Sequence, residues 1–323
     1  MAEAAGVSEM TVSRVLSGKG VVSARTRDRV MAVVARTGYV RNRLAGSLGR
    51  SRSDQVAVVI PSLGNAIFDE VVDGIGVELS RKDYNPVLGI SDYDERREES
   101  LLQSMLSWRP AGVILPAIGH TARVEAMLRN ADVPIVEIMN TGRRRAGIAV
   151  GIDQHGAGRA SARHLIDRGR TRIAWIGWDP RDLSAAARLD GARAVAAERD
   201  VVLVEPRAPS AGAVTLLDGR RDLAALLAAD PAIDAAIFAN DTAAAGGMMH
   251  CLAEGVDVPG RVALMGYGDT VGGRVLPRRL TTISPPRRAI GRIAARCILD
   301  TMRGVAVGPV IDVGFELVTG ETS

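Results

Sequence analysis

Short apolar runs that alternate with longer segments of helical periodicity constrain the fold of most of this chain. Eight such runs follow residue 53, and they are Val56–Ile60, Val87–Ile90, Val113–Leu115, Ile135–Ile138, Ile173–Ile176, Val201–Val204, Ala235–Phe238 and Val262–Met265. Runs that are apolar on both faces and are separated by helices predict parallel strands covered by helices on both sides. Because about 270 residues are many for one such sheet, we expect two doubly wound α/β lobes.

Composition excludes several other classes of protein. The 323 residues are 47 % hydrophobic and 24 % charged, a balance typical of globular proteins rather than disordered or fibrous ones. No apolar stretch approaches the roughly 20 residues that span a bilayer. Because no basic and then apolar leader begins the chain, we expect a cytoplasmic protein without a membrane partner. Cys251 and Cys297 lie far apart in helical segments and are interpreted as buried thiols of a reducing compartment.

Positive charge is concentrated at the N-terminus. Residues 1–53 contain ten basic and three acidic side chains, a net charge of +7, whereas the whole chain carries only +4. A basic segment joined to a nearly neutral body is typical of a module that binds a polyanion such as nucleic acid. A solvated basic tail is the alternative interpretation, but such a tail would lack the folding signals that this segment has.

The basic segment, called the head below, has the signals of a helix-turn-helix. Ser8 is a good N-cap for a helix over Glu9–Leu16, where apolar residues recur every three or four positions. Residues 17–20 end this helix, and Ser23 begins another that Gly38 closes. In a helix-turn-helix the second helix enters the major groove of DNA with its N-terminal residues nearest the bases. The candidate DNA contacts are therefore Ser8, Glu9, Met10, Thr11, Ser13 and Arg14.

These residues belong to a longer pattern. Its segments are Ala4–Ser8, Met10–Leu16, Val22-Ser23, Gly38-Tyr39 and Asn42–Leu48. The pattern resembles the DNA-binding head and hinge of LacI/GalR-family regulators. The resemblance implies a hinge that folds in the minor groove of DNA, with Asn42 and Arg43 as contacts and Leu48 wedged between base pairs. An ordinary linker leucine is the alternative interpretation of Leu48.

Two positions depart from the family pattern. Arg41 stands where the family usually has proline, which adds charge beside the phosphates. Met1 falls inside the expected first helix, and a helix of one turn is too short to be stable by itself. The hypothesis that follows is that translation starts upstream of Met1. N-terminal mass spectrometry of the native protein tests it, and Met1 as the first residue would refute it.

The body carries the resemblance as well. Ligands of open parallel sheets bind at the carboxyl ends of the strands, which selects the loops Pro61–Phe68, Pro116–His120, Glu137–Asn140, Trp178–Arg188, Glu205–Ser210, Asn240–Thr242 and Tyr267–Thr270. Motifs similar to the effector-binding core of the family are Pro61-Ser62-Leu63, Val133–Ile135, Phe238–Asp241, Gly266-Tyr267 and Leu280–Thr282. That core is related to periplasmic sugar-binding proteins, so the resemblance implies a ligand cleft between two lobes.

The resemblance also implies roles for individual residues of the cleft. Phe68 would stack on the effector, Arg188 would bind its oxygens or carboxylate, and Asn240 would hydrogen-bond its hydroxyl groups. The family often has an aspartate directly after the tyrosine of the Gly266-Tyr267 motif. Here that position is Gly268 and Asp269 follows, which disfavours the usual recognition of a neutral sugar.

A narrower resemblance is to the gluconate-utilisation repressors. It rests on the segments Met105–Trp108, Val133–Asn140, Ile148–Asp153 and Val313–Phe315. This branch implies gluconate or a related sugar acid as effector, and Arg188 with Arg207 on a neighbouring loop would pair with its carboxylate. Arg207 is alternatively a solvent-facing loop residue. Glu137 would either order hydroxyl donors or stabilise a contact between the lobes.

Enzyme motifs are missing from the sequence. It contains no Gly-x-Ser-x-Gly nucleophile elbow, no Walker loop and no paired zinc-ligand motif, so neither catalysis nor a cofactor nor a metal is expected. The segment Gly74-Ile75-Gly76 lies in a helical pattern, which predicts helix packing rather than a dinucleotide-binding loop.

The sequence thus predicts a homodimeric repressor of sugar-acid catabolism that a small-molecule effector releases from double-stranded operator DNA. We expect a helix-turn-helix domain over residues 1–41, a hinge over 42–53, and an effector-binding and dimerisation body over 54–323. The first lobe is expected at about 54–152 and 285–307, and the second at about 153–284 and 308–323. A LacI-type regulator of another metabolite is one alternative. A solute-binding protein for a sugar acid is another, but it would need an export leader and no basic head.

Overall fold

The computed structural model describes residues 1–17, 20–39, 53–117, 119–142, 146–177, 179, 181–205 and 214–323. The chain divides into two compact units, Met1–Ser53 and Asp54–Ser323. None of the helices in the described ranges has the length and apolar character needed to cross a lipid bilayer.

The described part of the head consists of short helices that pack on one another, namely α1 (Ala2–Ala5), α2 (Glu9–Ser17) and α3 (Ala24–Thr37). The Ser23 side chain accepts a hydrogen bond of 3.3 Å from the backbone N–H of Thr26, and Gly38 ends α3 in the left-handed region at a φ of 61°. The side chains that hold the helices together are Ala5, Val12, Val15, Val30 and Val33. The prediction of a helix-turn-helix is confirmed.

The body contains two six-stranded sheets, one in each lobe. The first consists of β1 (Gln55–Ile60), β2 (Asn85–Ile90), β3 (Gly112–Pro116), β4 (Ile135–Asn140), β5 (Ile148–Ile152) and β11 (Val310–Asp312), in the order β11-β5-β4-β3-β1-β2. The second consists of β6 (Arg172–Ile176), β7 (Val202–Val204), β8 (Ala235–Phe238), β9 (Ala263–Tyr267), β10 (Thr281–Ser284) and β12 (Glu316–Val318), in the order β12-β10-β9-β8-β6-β7. Strand β12 runs antiparallel to β10, and the other paired strands are parallel. Both orders are those of a doubly wound sheet, as predicted.

Helices cover both faces of each sheet. Those of the first lobe are α4 (Ile67–Ser80), α5 (Glu95–Ser107), α6 (Ala122–Asn130) and α12 (Arg287–Met302), and those of the second are α7 (Gln154–Ile166), α8 (Leu183–Glu198), α9 (Leu216–Ala229), α10 (Asp241–Glu254) and α11 (Val271–Arg274). The two faces of β1 show why the strands are continuous apolar runs in the sequence. Val56 and Val58 point into one hydrophobic core, whereas Ala57 and Val59 point into another on the opposite face.

The chain passes between the lobes after β5, between β10 and α12, and between β11 and β12. The last passage differs from the expected boundary at residue 308. Val310–Asp312 pairs in parallel with Ala149–Gly151 of the first sheet, so the first lobe extends through Asp312. Three half-exposed residues form too short a run for the sequence to show which sheet they join.

Glycines allow three pairs of helices to pack with their backbones in contact. In each pair, a Cβ atom on the glycine of either helix would lie within 2.3 Å of a backbone oxygen of the other, and these glycines are Gly74 and Gly291 (α4 and α12), Gly158 and Gly191 (α7 and α8), and Gly219 and Gly246 (α9 and α10). The helix-packing interpretation of Gly74 is therefore correct. Because no other residue lacks a Cβ atom, these crossings require glycine.

Candidate functional site

A cavity lies between the lobes, at the carboxyl ends of both sheets. Polar and aromatic side chains of both lobes line it, including Asn65, Phe68 and Tyr93 of the first lobe and Gln154, Asp182, Arg188 and Tyr267 of the second. Most of them follow directly on a strand or begin a helix after one. Five of the loops selected from the sequence by their position at strand ends contribute residues to this cavity, namely Pro61–Phe68, Pro116–His120, Glu137–Asn140, Trp178–Arg188 and Tyr267–Thr270.

Arg188 of helix α8 is the basic side chain among the described residues that line this cavity. Its side chain is buried, and its two terminal nitrogens donate hydrogen bonds of 2.7 Å to Gln154 Oε1 and 2.9 Å to the backbone oxygen of Ala239. The guanidinium lies over the ring of Tyr267, 3.7 Å from its centroid, in a cation–π contact. Its Nε is buried without a hydrogen-bond partner among the described residues. The cation is thus positioned by neutral groups.

Gln154 joins both lobes at the cavity. Its amide nitrogen donates 2.6 Å to the backbone oxygen of Met139, in strand β4 of the first lobe, and 2.9 Å to the hydroxyl of Tyr267 in the second. Met139 has a left-handed φ of 79°, a conformation that costs about 1–3 kcal/mol and persists only where its surroundings hold it. Burial raises the pKa of Tyr267, so this hydroxyl stays protonated.

A second cavity shares the residues Asn65, Tyr93 and Asp182 with the first. Asn240 lines it, and each end of its amide makes one hydrogen bond. The oxygen accepts 2.8 Å from the backbone N–H of Ala243, as the N-cap of α10, and the nitrogen donates 3.1 Å to the backbone oxygen of Val214. These bonds fix the orientation of the amide, and a primary amide has a second N–H donor and a second lone pair that a ligand can use.

Phe68 forms part of the apolar wall of the first cavity, and the sequence prediction placed it there. Glu137 lies elsewhere. It is buried on β4, where its carboxylate is 3.5 Å from Nε2 of His120, and the other ring nitrogen of His120 is 3.0 Å from Glu98. Burial lowers the pKa of His120, but the neighbouring carboxylates of Glu137 and Glu98 outweigh burial and raise it to about 9. Glu137 thus belongs to a buried histidine–carboxylate cluster of the first lobe and not to the cavity wall.

Asp269 is not among the residues that line these two cavities, which differs from the position expected for it, and its contact with an effector stays a prediction. Its carboxylate accepts two hydrogen bonds of 2.9 and 2.8 Å from Arg274 and one of 3.1 Å from Ser284. Burial raises the pKa of Asp269, but the hydrogen bonds from Arg274 outweigh burial and hold it below its usual value. The physical reason for the difference is this local ion pair. Arg207 lies outside the described residues.

Helix α2 of the head presents a polar face. The core of the head contains Val12 and Val15 of this helix. The candidate DNA contacts lie outside that core, with Thr11 partly exposed and the others in the helix exposed, namely Glu9, Met10, Ser13 and Arg14. Ser8 accepts a hydrogen bond of 3.2 Å from the backbone N–H of Thr11, as the predicted N-cap. The hinge residues Asn42, Arg43 and Leu48 lie outside the described residues.

Comparison with known protein families matches both the head and the body of the chain. A sequence model of "Bacterial regulatory proteins, lacI family" matches residues 1–42, and one of "Periplasmic binding protein-like domain" matches residues 162–323. The HTH-type transcriptional regulator GntR of Pseudomonas aeruginosa is 34 % identical over 100 % of this chain and 94 % of that relative.

Two solved structures are also similar to the chain. A LacI-family transcriptional regulator from Silicibacter pomeroyi is 38 % identical, with a TM-score of 0.93 over 99 % of this chain and 97 % of that one. The transcription regulator GntR from Chromobacterium violaceum is 33 % identical, with a TM-score of 0.77 over 83 % of this chain and 99 % of that one. With its helix-turn-helix head and two-lobed body, the chain belongs to the LacI family of bacterial regulatory proteins, and it is a transcriptional regulator rather than an enzyme.

Proposed function

We propose that this chain is a homodimeric repressor that binds operator DNA through its head and a sugar acid in the cavity between its lobes. The single observation that carries the class of effector is the state of Arg188. It is a buried cation at the cavity wall, and no carboxylate of the described residues lies within 4.0 Å of it. Burying an unpaired charge is costly, so the site favours a ligand that brings the missing anion.

The remainder of the cavity suits a polyhydroxylated ligand. Asn65, Tyr93 and Asp182 supply donors and acceptors for hydroxyl groups, and Phe68 supplies an apolar surface. A carboxylate at Arg188 would receive charge-assisted hydrogen bonds, which are about twice as strong as neutral ones. A neutral sugar is the second candidate, because a related regulator, CelR, is 27 % identical and its structure is described as a cellobiose complex.

The Arg188→Gln variant tests the class of effector. We expect wild type to bind gluconate at least about tenfold more tightly than gluconamide, its neutral amide, and the variant to lose this preference because the charge is gone. Calorimetry with both ligands measures the ratio. Arg193→Gln, on the same helix but exposed and paired with Glu205, is the matched control and should keep it. Equal affinities of wild type for the two ligands would contradict an acidic effector.

A homodimer is supported by apolar side chains on the surface of the second lobe. Met249 and Leu252 of α10 and Val271 and Val275, at the adjoining α11, are 44–73 % exposed. Exposed apolar residues on packed neighbouring helices are typical of a protein–protein interface. We therefore propose that a second copy covers them, and light scattering should give about twice the chain mass of 34.1 kDa.

Binding to DNA tests the role of the head. Affinity for a promoter fragment from the chain's own locus is expected to fall steeply between 50 and 200 mM salt, since contacts to phosphates release counterions.

Leu48→Ala should weaken binding to the operator far more than binding to random DNA, because only the operator complex includes the kinked step. Leu63→Ala, at an exposed leucine of the body, is the control. Fluorescence anisotropy measures both. Equal losses on both DNAs would contradict the insertion of Leu48 between base pairs, and an affinity that does not change with salt would contradict contacts between the head and phosphates.

A further inference from the structure

Gln154 explains how the buried side chain of Arg188 is held in place without an acidic partner. The proposed function does not explain this feature of the cavity. The Gln154 side chain is 1 % exposed, and its amide makes three hydrogen bonds, to Arg188, Met139 and Tyr267. It contacts both the cation and the first lobe. Its chemistry therefore sets the charge around Arg188.

The orientation of the amide follows from its partners. A guanidinium has only donors and a backbone carbonyl is only an acceptor, so the amide oxygen must face Arg188 and the amide nitrogen must face Met139. A glutamate at the same place would put a carboxylate at the 2.7 Å distance that now separates Oε1 from the guanidinium. It would also remove the donor to Met139. The site is thus built for a neutral side chain.

Asp182, an acidic side chain that lines the cavity, caps the N-terminus of a helix. One carboxylate oxygen of Asp182 accepts hydrogen bonds of 3.1 and 2.9 Å from the backbone N–H groups of Ser184 and Ala185, as the N-cap of α8. A carboxylate at a helix N-terminus is stabilised there by the helix dipole. Asp182 is not among the carboxylates within 4.0 Å of a basic nitrogen in the described chain. Asp182 therefore caps the helix and forms no ion pair with Arg188, whose positive charge remains available to a ligand.

We propose that Gln154 is a specificity-determining residue, whose neutral amide orients Arg188 while leaving its positive charge for an acidic ligand. This inference rests on the proposed function, because it assumes a ligand that carries an anion. It adds that the selectivity for acid over neutral ligand is set by a residue of the second lobe that contacts the strand Ile135–Asn140 of the first. Gln154 acts through Arg188 and is in this sense a positioning residue.

Two substitutions of Gln154 separate charge from structure. In Gln154→Glu the new carboxylate would form an ion pair with the guanidinium of Arg188. The preference for gluconate over gluconamide should therefore fall at least about tenfold relative to wild type. Gln154→Met has similar length and no charge, so it should keep the preference within about threefold, although both ligands bind more weakly. Calorimetry on the full chain gives the ratio of affinities, and thermal melting shows that each variant is folded. A merely structural role would weaken both ligands equally in both variants.

The outcomes distinguish this inference from the proposed function. If wild type prefers gluconate and the Gln154→Glu chain keeps that preference, the inference is wrong and the proposed function stands. If wild type shows no preference, both are wrong. A Gln154→Met chain that loses the preference overturns the inference as well, because charge would then not be the cause. This last comparison holds even if the glutamate variant does not fold.

Discussion

Gly158→Ala is expected to lower the free energy of unfolding by about 3 kcal/mol, one of the two largest effects predicted for this chain. The added Cβ atom would lie 1.8 Å from the backbone oxygen of Arg188, where α7 crosses α8. A backbone oxygen has no rotamer to change, so the two helices must separate. Gly191 makes the reciprocal contact 2.1 Å from the backbone oxygen of His155, which leaves little freedom for the crossing to relax.

Urea denaturation of the purified chain measures this loss, and Gly76→Ala is the matched control. Gly76 also lies within a helix, α4, but a Cβ atom there would meet nothing within 4 Å. Alanine is the better helix former, so this control should gain about 0.5–1 kcal/mol. Equal effects of the two substitutions would mean that helix propensity, and not the close crossing, decides. Because Arg188 stands at the contact, Gly158→Ala should also weaken gluconate binding.

The sequence predicted the parallel sheets well because their strands are apolar on both faces. All eight predicted runs are strands, and the helix-turn-helix begins and ends within one residue of its predicted bounds. The strands that the sequence reasoning missed have other patterns. Thr281–Ser284 is polar, and Val310–Asp312 and Glu316–Val318 are short and half exposed. Ile148–Ile152 entered only as part of the family resemblance, although its burial is that of a central strand. Such strands form because they pair with a neighbouring strand of the sheet, and a single sequence does not show which segments will pair.

The candidate site was less predictable than the fold. Phe68, Arg188 and Asn240 lie on the cavity walls, and their contact with a ligand stays a prediction. Sequence reasoning missed Tyr93, which follows β2, and Gln154, which begins a helix after β5. Asp182 lies in the selected loop Trp178–Arg188 but was not singled out as a site residue. The strand-end rule would have found Gln154 had β5 been predicted. The partner of Asp269 was not predictable, because Arg274 reaches it only through the local turn.

The pH dependence of stability is the second large effect, and it comes from the cluster of His120, Glu98 and Glu137. The imidazolium lies between two buried carboxylates, and its folded pKa of about 9 exceeds the unfolded value of about 6.5. The folded chain therefore holds this proton more tightly. The stabilisation is complete below about pH 6.5 and is lost as the pH rises through about 9, and it amounts to at most about 3 kcal/mol. Alkaline pH should leave two facing carboxylates without a cation.

His120→Gln isolates this effect from other groups that titrate at alkaline pH. At pH 7 the variant should be less stable than wild type by about 2–3 kcal/mol, and the difference should disappear by about pH 10. His164→Gln is the control, because burial, followed by the charge of Arg168, lowers the pKa of His164 to about 4. Its titration therefore changes stability only at acidic pH, and the effect of this substitution should be constant from pH 6 to 10. Denaturation curves of the three chains from pH 6 to 10 give the comparison. A constant difference between wild type and His120→Gln across that range would show that packing, and not the proton, makes His120 stabilising.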